Sequence, residues 1–162
     1  MEEFRTVEHF PKYEISNTGI LRNKKTRKIL LPRLNKDGYV RINLYNDGVS
    51  KTCFIHRLVA IAFIENPMNQ QIVDHIDRNK INNHTSNLRW CNISQNTINS
   101  KLYNTNTSLH KGVSYCTSRE KYQVHMSINN KTTFCGYFDN LEDAVKHRKN
   151  LEEIHYGEFN PL

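Results

Sequence analysis

Val73-Asp74-His75-Ile76-Asp77-Arg78-Asn79-Lys80-Ile81-Asn82-Asn83, then Asn87-Leu88-Arg89-Trp90, then Asn92-Ile93-Ser94-Gln95-Asn96, is the stretch on which the fold turns. Ile72 to Ile76 reads as a short strand, 77–86 as a polar loop rich in Asn, and Asn87 to Trp90 as a second strand. Asn92 can cap a helix running from about Ile93 to about Leu102. The order is strand, loop, strand, helix. A hairpin packed on a helix gathers Asp74, His75, Asn87 and Asn96 around one point. Those groups are what phosphodiester hydrolysis requires. A neutral imidazole can deprotonate water near pH 7. A divalent cation offsets charge on the scissile phosphate and the leaving oxygen. Hard oxygen donors on Asp74 and Asn96 can hold such a cation.

Upstream, His56 to Ile64 reads as a compact apolar helix, and Pro67 stops anything longer. Before it lie short strands. Tyr13 to Ser16 is followed by the turn Asn17-Thr18-Gly19, and Lys36-Asp37-Gly38 is another turn. Tyr39 to Tyr45 alternates apolar and polar residues as a half-buried strand does, and Thr52 to Ile55 starts the next. Basic residues crowd this part: Arg22, Lys24, Lys25, Arg27 and Lys28, then Arg33, Lys36 and Arg41, opposed only by Asp37. A solvated face would explain such a run, but its density fits contact with a DNA backbone better.

Downstream, 103–110 is polar and aperiodic and reads as a linker. From Lys111 three strand candidates follow: Gly112 to Tyr115, Tyr122 to Ile128 and Thr132 to Phe138. A final helix runs from about Leu141 to about Tyr156, with Asn140 as its cap and Gly157 as its stop. Leu141, Ala144, Val145, Arg148, Leu151 and Ile154 fall on one stripe, which suits packing behind a small sheet.

Composition bounds the reading. The chain has 162 residues, 37% of them hydrophobic, and a net charge of +7. That allows one domain or a few small ones and favours a polyanionic partner. Cys53, Cys91, Cys116 and Cys135 show no Cys-x-x-Cys spacing, so they read as free thiols, and no structural zinc is expected. The acidic start, Met1-Glu2-Glu3-Phe4, has no signal-peptide core, and the apolar run Leu58 to Ile64 is too short to span a bilayer. A soluble protein in the cytoplasm of a bacterial or bacteriophage-infected cell is expected.

The residues from Val73 to Asn96 resemble the HNH nuclease motif, and more narrowly HNH homing endonucleases of phages and group I introns. The resemblance implies roles. His75 would be the general base and Asp74 a metal ligand. Asn87 would fix the hairpin and help orient His75. Asn96 would be the second protein ligand. Asn rather than His at that last position implies Mg²⁺, or Mn²⁺, in preference to zinc. Products would carry 5′-phosphate and 3′-hydroxyl ends. Tyr13 to Gly19, Gly38-Tyr39 and His56 to Ala60 resemble the nuclease-associated modular domain that often precedes this type. Gly112-Val113, Tyr122-Gln123-Val124 and Gly136 to Asp139 leading to Ala144 resemble the DNA-binding domain of plant ethylene-response factors. There a three-stranded sheet enters the major groove, backed by one helix.

The expected architecture is α+β and modular. A β-rich DNA-binding unit (1–54) leads into a ββα-metal nuclease core (55–102). A linker (103–110) joins it to a C-terminal unit of three antiparallel strands and a helix (111–162). Candidate contacts to double-stranded DNA beyond the basic run are Arg78, Lys80 and Arg89 near the hairpin, and Tyr115, Arg119, Lys121, His125 and Lys131 on the C-terminal sheet. Ser127 and Thr133 are further candidates there, as is Tyr122, for which a place in the core is the alternative reading. His56 reads as a packing residue and His84 as solvated. One site per chain predicts nicking by a monomer; a double-strand break needs a second subunit or a second event. The rival readings are a non-catalytic DNA-binding regulator and a nonspecific defence or toxin nuclease.

Overall fold

The computed structural model describes residues 1–100, 108–128 and 131–159. It forms two compact units, Met1–Ile93 and Ser94–Leu162. The first unit opens with four short strands, β1 (Phe4–Val7), β2 (Phe10–Ser16), β3 (Leu21–Asn23) and β4 (Ile29–Leu30), paired antiparallel in chain order. A second antiparallel sheet holds β5 (Arg33–Leu34), β6 (Val40–Asn46) and β7 (Val49–Phe54). Asp47 and Gly48 join β6 to β7 with φ of 49° and 79°. Two successive positive φ angles are what a tight right-twisted hairpin needs.

Helix α1 (Ile55–Phe63) follows directly and buries Ile55, Leu58, Val59 and Ala60. Those residues recur at helical spacing, so one face of α1 turns inward. The hairpin of β8 (Ile72–His75) and β9 (Leu88–Cys91) pairs Val73 with Trp90, Asp74 with Arg89 and His75 with Leu88. Trp90 Nε1 donates to the carbonyl of Ile64 at 3.1 Å, tying the hairpin to the end of α1. Val7, Phe10, Ile15, Leu21, Leu44, Ile55, Val59, Val73 and Leu88 form a single buried cluster. The N-terminal strands and the hairpin, expected as separate modules meeting near residue 54, therefore share one core. The reason is size: neither sheet has enough apolar side chains to close a core alone.

The second unit contains most of helix α2 (Ile93–Ile98) and a sheet of β10 (Val113–Cys116), β11 (Lys121–Ile128) and β12 (Lys131–Phe138), antiparallel in chain order. Helix α3 (Leu141–Tyr156) covers one face, where Val113, Val124 and Ala144 are buried with Tyr122, Phe138, Leu141 and Val145 against them. Asn140 caps α3 as expected, its Oδ1 accepting from Asp143 N at 2.9 Å. The apolar stripe of α3 is shorter than expected. Arg148 is buried, but Ile154 is 73% exposed, because it lies beyond the end of the sheet core. Helix α2 ends at Ile98, with Asn99 in a turn and Ser100 in a bend, short of the expected end near residue 102; residues 101–107, which include most of the expected linker 103–110, lie outside the described residues.

Candidate active site and nucleic-acid interface

His75 is the last residue of β8 and only 4% exposed. Its Nε2 lies 3.2 Å from Asn83 Oδ1. The Asn83 amide is oriented by its own Nδ2, which donates to the Ile81 carbonyl at 3.0 Å. Oδ1 is therefore an acceptor facing the ring, so Nε2 carries the hydrogen and Nδ1 is the unprotonated nitrogen. Burial pushes the His75 pKa down, outweighing the opposing pull of Asn83, Asp74 and Asp77. The ring is thus a neutral base in a fixed tautomer.

His56 packs beside it, with ring centroids 5.0 Å apart, and Tyr39 and Phe54 lie 5.2 and 5.6 Å from His56. The expected packing role of His56 agrees with this aromatic cage. His56 is 6% exposed, and its Nδ1 has no hydrogen-bond partner among the described residues. Burial, and then the neighbouring His75 and Arg57, push its pKa to about 3, so it stays neutral.

Asn87 works on the loop. Its Nδ2 donates to Asp77 Oδ1 and to the Asn82 carbonyl, both at 2.8 Å, and its Oδ1 accepts from Asp77 N at 3.0 Å. Burial raises the Asp77 pKa, but hydrogen bonds from Asn82, Asn79 and Asn87 outweigh it and hold the carboxyl below its ordinary value. Asn87 thus closes both ends of the 77–86 loop. The bond to the His75 ring comes from Asn83, four residues earlier, which the sequence reading had not singled out.

Asp74 is 7% exposed. Its Oδ2 accepts from Arg89 Nε at 3.0 Å and Nη2 at 2.9 Å, a consequence of their facing positions across the hairpin. Arg89, expected as a phosphate contact, is thus committed to Asp74. A carboxylate offers about four acceptor sites, so an ion-paired aspartate can also be a cation ligand in principle. Asn96 lies on α2 with an exposed side chain. Asp74 and Asn96 are each an oxygen donor of the kind that a hard divalent cation takes. Among the described residues no cluster of three His, Cys, Asp or Glu forms a zinc-type cage.

The basic run divides. Arg22 and Arg27 both donate to Glu14 Oε2, at 2.8 and 2.6 Å, and Arg22 stacks on Phe4, 3.4 Å from the ring centre. Lys24 Nζ donates to Thr6 Oγ1 at 2.9 Å. These three brace the first sheet. Lys25, Lys28, Arg33, Lys36 and Arg41 are exposed. Arg33 and Arg41 face each other across β5 and β6, where like charges repel. Arg41, Asn43 and Tyr45 alternate along the exposed side of β6. Arg78 sits half-buried with φ of 61°, and Lys80 Nζ donates to the Asp37 carbonyl while lying over Tyr39, 4.5 Å from the ring centre.

In the second unit the face away from α3 carries Gln123, His125, Phe134 and Tyr137. Gln123 donates to Ser114 Oγ at 3.1 Å, His125 meets Phe134 with centroids 5.4 Å apart, and Arg119 lies over Tyr137. Phe134 is 48% exposed and also meets Tyr137, with centroids 4.7 Å apart. Tyr115 pairs with Tyr122 and so shares the helix-covered face. Lys121 pairs with Asp139, and Lys131 is exposed at the start of β12. Gln123, Phe134 and Tyr137 were not among the expected contacts, since alternation alone does not say which face α3 covers.

A buried histidine ends the first strand of a two-stranded hairpin, next in sequence to a carboxylate, and such a pair could serve phosphodiester hydrolysis. Comparison with known proteins bears on the same residues. Residues 2–45 match the NUMOD4 motif and residues 53–98 match the HNH endonuclease model. DNA endonuclease I-HmuI of Bacillus phage SP01 is 49% identical over 78 residues, covering 48% of this chain and 45% of that protein. The uncharacterized HNH endonuclease L245 of Acanthamoeba polyphaga mimivirus is 42% identical over 92 residues, 57% of this chain and 28% of that one. A solved structure described as DNA binding and cleavage by the HNH homing endonuclease I-HmuI superposes with a TM-score of 0.55 at 42% identity, covering 59% of this chain and 55% of that one. The mixed α/β fold is thus similar to that of I-HmuI. The chain spans about half or less of the length of these relatives.

Proposed function

We propose that this chain is a site-specific HNH homing endonuclease that hydrolyses phosphodiester bonds in double-stranded DNA. The observation that carries the reading is His75, buried and held through Nε2 by Asn83, with Asp74 beside it. In the reaction, Nδ1 of His75 accepts a proton from water as that water attacks the phosphorus in line with the leaving 3′ oxygen. Asp74 and Asn96 would hold a divalent cation, Mg²⁺ or Mn²⁺, which supplies charge neutralisation at the phosphate. Arg89 fixes the Asp74 carboxylate, and Asn87 keeps the loop that presents Asn83. The products carry 5′-phosphate and 3′-hydroxyl ends.

The architecture read from the sequence, with an N-terminal DNA-binding unit, a ββα-metal core and a C-terminal reader, supports this function. Exposed Lys25, Lys28, Arg33, Lys36 and Arg41 supply phosphate contacts on the first unit, with Arg78 and Lys80 nearer the hairpin. On the C-terminal sheet Arg119, His125 and Lys131 lie near the exposed face with Gln123, Phe134 and Tyr137, which suits base contacts. One site per chain acts as a nicking monomer in the cytoplasm of a bacterial or phage-infected cell. Among the described residues no helix is long and apolar enough to cross a membrane.

The test is to incubate the full chain with Mg²⁺ and circularised genomic fragments of its source, and to map new ends by sequencing. Recurrent ends at one sequence, absent with chelator, are expected. Uniform scatter would favour a nonspecific nuclease, and binding without ends a regulator.

A further inference from the structure

The carboxyl end of α2 is held by a side chain from well downstream. Lys111 Nζ lies 2.7 Å from the Thr97 carbonyl, 3.0 Å from that of Ile98 and 2.8 Å from Ser100 Oγ, with the Ser100 carbonyl at 3.4 Å. The last carbonyls of a helix have no partner within it and carry the negative end of its dipole. An ammonium group there makes charge-assisted bonds, stronger than neutral ones. The helix needs such help. It has six residues and buries none of them, well short of the roughly 12–15 at which a helix becomes even marginal in water.

Lys111 itself is locked into the C-terminal sheet. Arg148 Nε, from buried Arg148 on α3, donates to the Lys111 carbonyl at 3.2 Å. The next carbonyl, of Gly112, accepts from His125 N at 2.8 Å. Gly112 has φ of +74°, and a Cβ there would stand 2.3 Å from the His125 carbonyl oxygen and 2.7 Å from Arg148 Nε. Only glycine permits this approach, so the backbone that carries the ammonium has little freedom.

We propose that Lys111 is a positioning residue for cleavage: anchored in the C-terminal sheet, it clamps the carboxyl end of α2 and so sets where Asn96 stands. This rests on the reading above, in which Asn96 is a cation ligand. A sheet engaged on DNA then also steadies the helix that carries Asn96.

The test compares wild type with Lys111→Met, Lys111→Gln and Lys111→Arg on a duplex spanning the mapped site. Three quantities are measured: the Mg²⁺ concentration for half-maximal nicking, duplex affinity in Ca²⁺, and amide exchange of the free protein. In the Met and Gln variants the half-saturating Mg²⁺ should rise by about tenfold, as for lost partners of metal ligands generally. Duplex affinity should stay within about twofold, a change too small to reflect a lost phosphate contact. Exchange protection should fall in α2 and persist in β10 to β12, and the Arg variant should recover most of each. Unchanged Mg²⁺ dependence overturns the proposal. So does a parallel loss of affinity and cleavage, which would make Lys111 a phosphate contact, or loss of sheet protection in both variants, which would make it a folding residue. If wild type cuts nothing, the nuclease reading fails, while exchange in α2 still decides the clamp.

Discussion

At the scale of single residues, the proposed function gives the chemistry to His75, whose ring Asn83 holds. His75→Ala should slow cleavage by a factor on the order of 10² or more while leaving DNA affinity near that of wild type. Single-turnover rates and a binding isotherm in Ca²⁺ measure the two separately; cleavage at the wild-type rate would remove His75 from the mechanism. Asn83→Ala should cost about 10- to 100-fold in rate, since the tautomer loses its anchor. His56 makes a different prediction, about stability. Its folded pKa, pushed to about 3, lies below the ordinary 6.5 because the ring is buried. Above about pH 6.5 the ring is neutral folded or unfolded and adds no pH dependence. As pH falls from 6.5 towards 3 the unfolded chain takes up a proton the folded one refuses, so stability declines, by at most about 1.4 kcal/mol per pH unit. Denaturant titrations across that range should show a shallower acid decline for His56→Phe than for wild type. The placing of Asp74 and His75 at the end of one strand, and of Asn87 just before its partner, was legible in the sequence because the spacing of a hairpin is rigid. Asn83 was not, because Asn79, Asn82, Asn83 and Asn87 are alike in type, and only the folded loop decides which one faces the ring.

Among elements, regular ones were legible wherever caps and turns agreed with periodicity. Helix α3 occupies its expected span because Asn140 and Gly157 mark both ends. Strands β10 to β12 began within a residue of expectation. What escaped was pairing across strands. Glu14 faces Arg22 in the β2–β3 register, and this turns part of the basic run inward to an ion pair. The same register logic reassigns the electrostatics of DNA binding. Arg33 and Arg41, opposed and exposed on β5 and β6, repel each other until an anion separates them. Replacing both by Gln should make log affinity less steep in log salt by about two, close to 0.9 for each lost phosphate contact. The pair Lys24→Gln and Arg27→Gln should change the slope less, because both residues already serve Thr6 and Glu14. Mobility shifts at several salt concentrations measure both slopes. Equal slopes for the two pairs would mean that exposure does not choose the contacts.

For the whole molecule, charge and aromatic surface are partitioned between the two units. Almost all of the net charge of +7 falls before residue 94, while the second unit is nearly balanced. A balanced unit adds little counterion-driven affinity. Its exposed face offers Gln123, His125 and Tyr137 instead, groups that can hydrogen-bond or stack. The two units should therefore contribute separable quantities: the first the salt dependence, the second the preference for one sequence. Gln123→Ala with Tyr137→Ala should leave the salt slope unchanged and lower the ratio of cleavage at the mapped site to cleavage elsewhere. A lost base contact is worth about 1–3 kcal/mol of discrimination, so the ratio should fall by roughly 5- to 150-fold. Both residues lie on the solvent side of the sheet, away from Val113, Val124 and Ala144, so folding should survive the change. Sequencing all ends made by wild type and the double variant from one genomic library gives the ratio directly. An unchanged ratio with weaker binding everywhere would make the C-terminal sheet a second backbone contact, and would move sequence selection into the first unit.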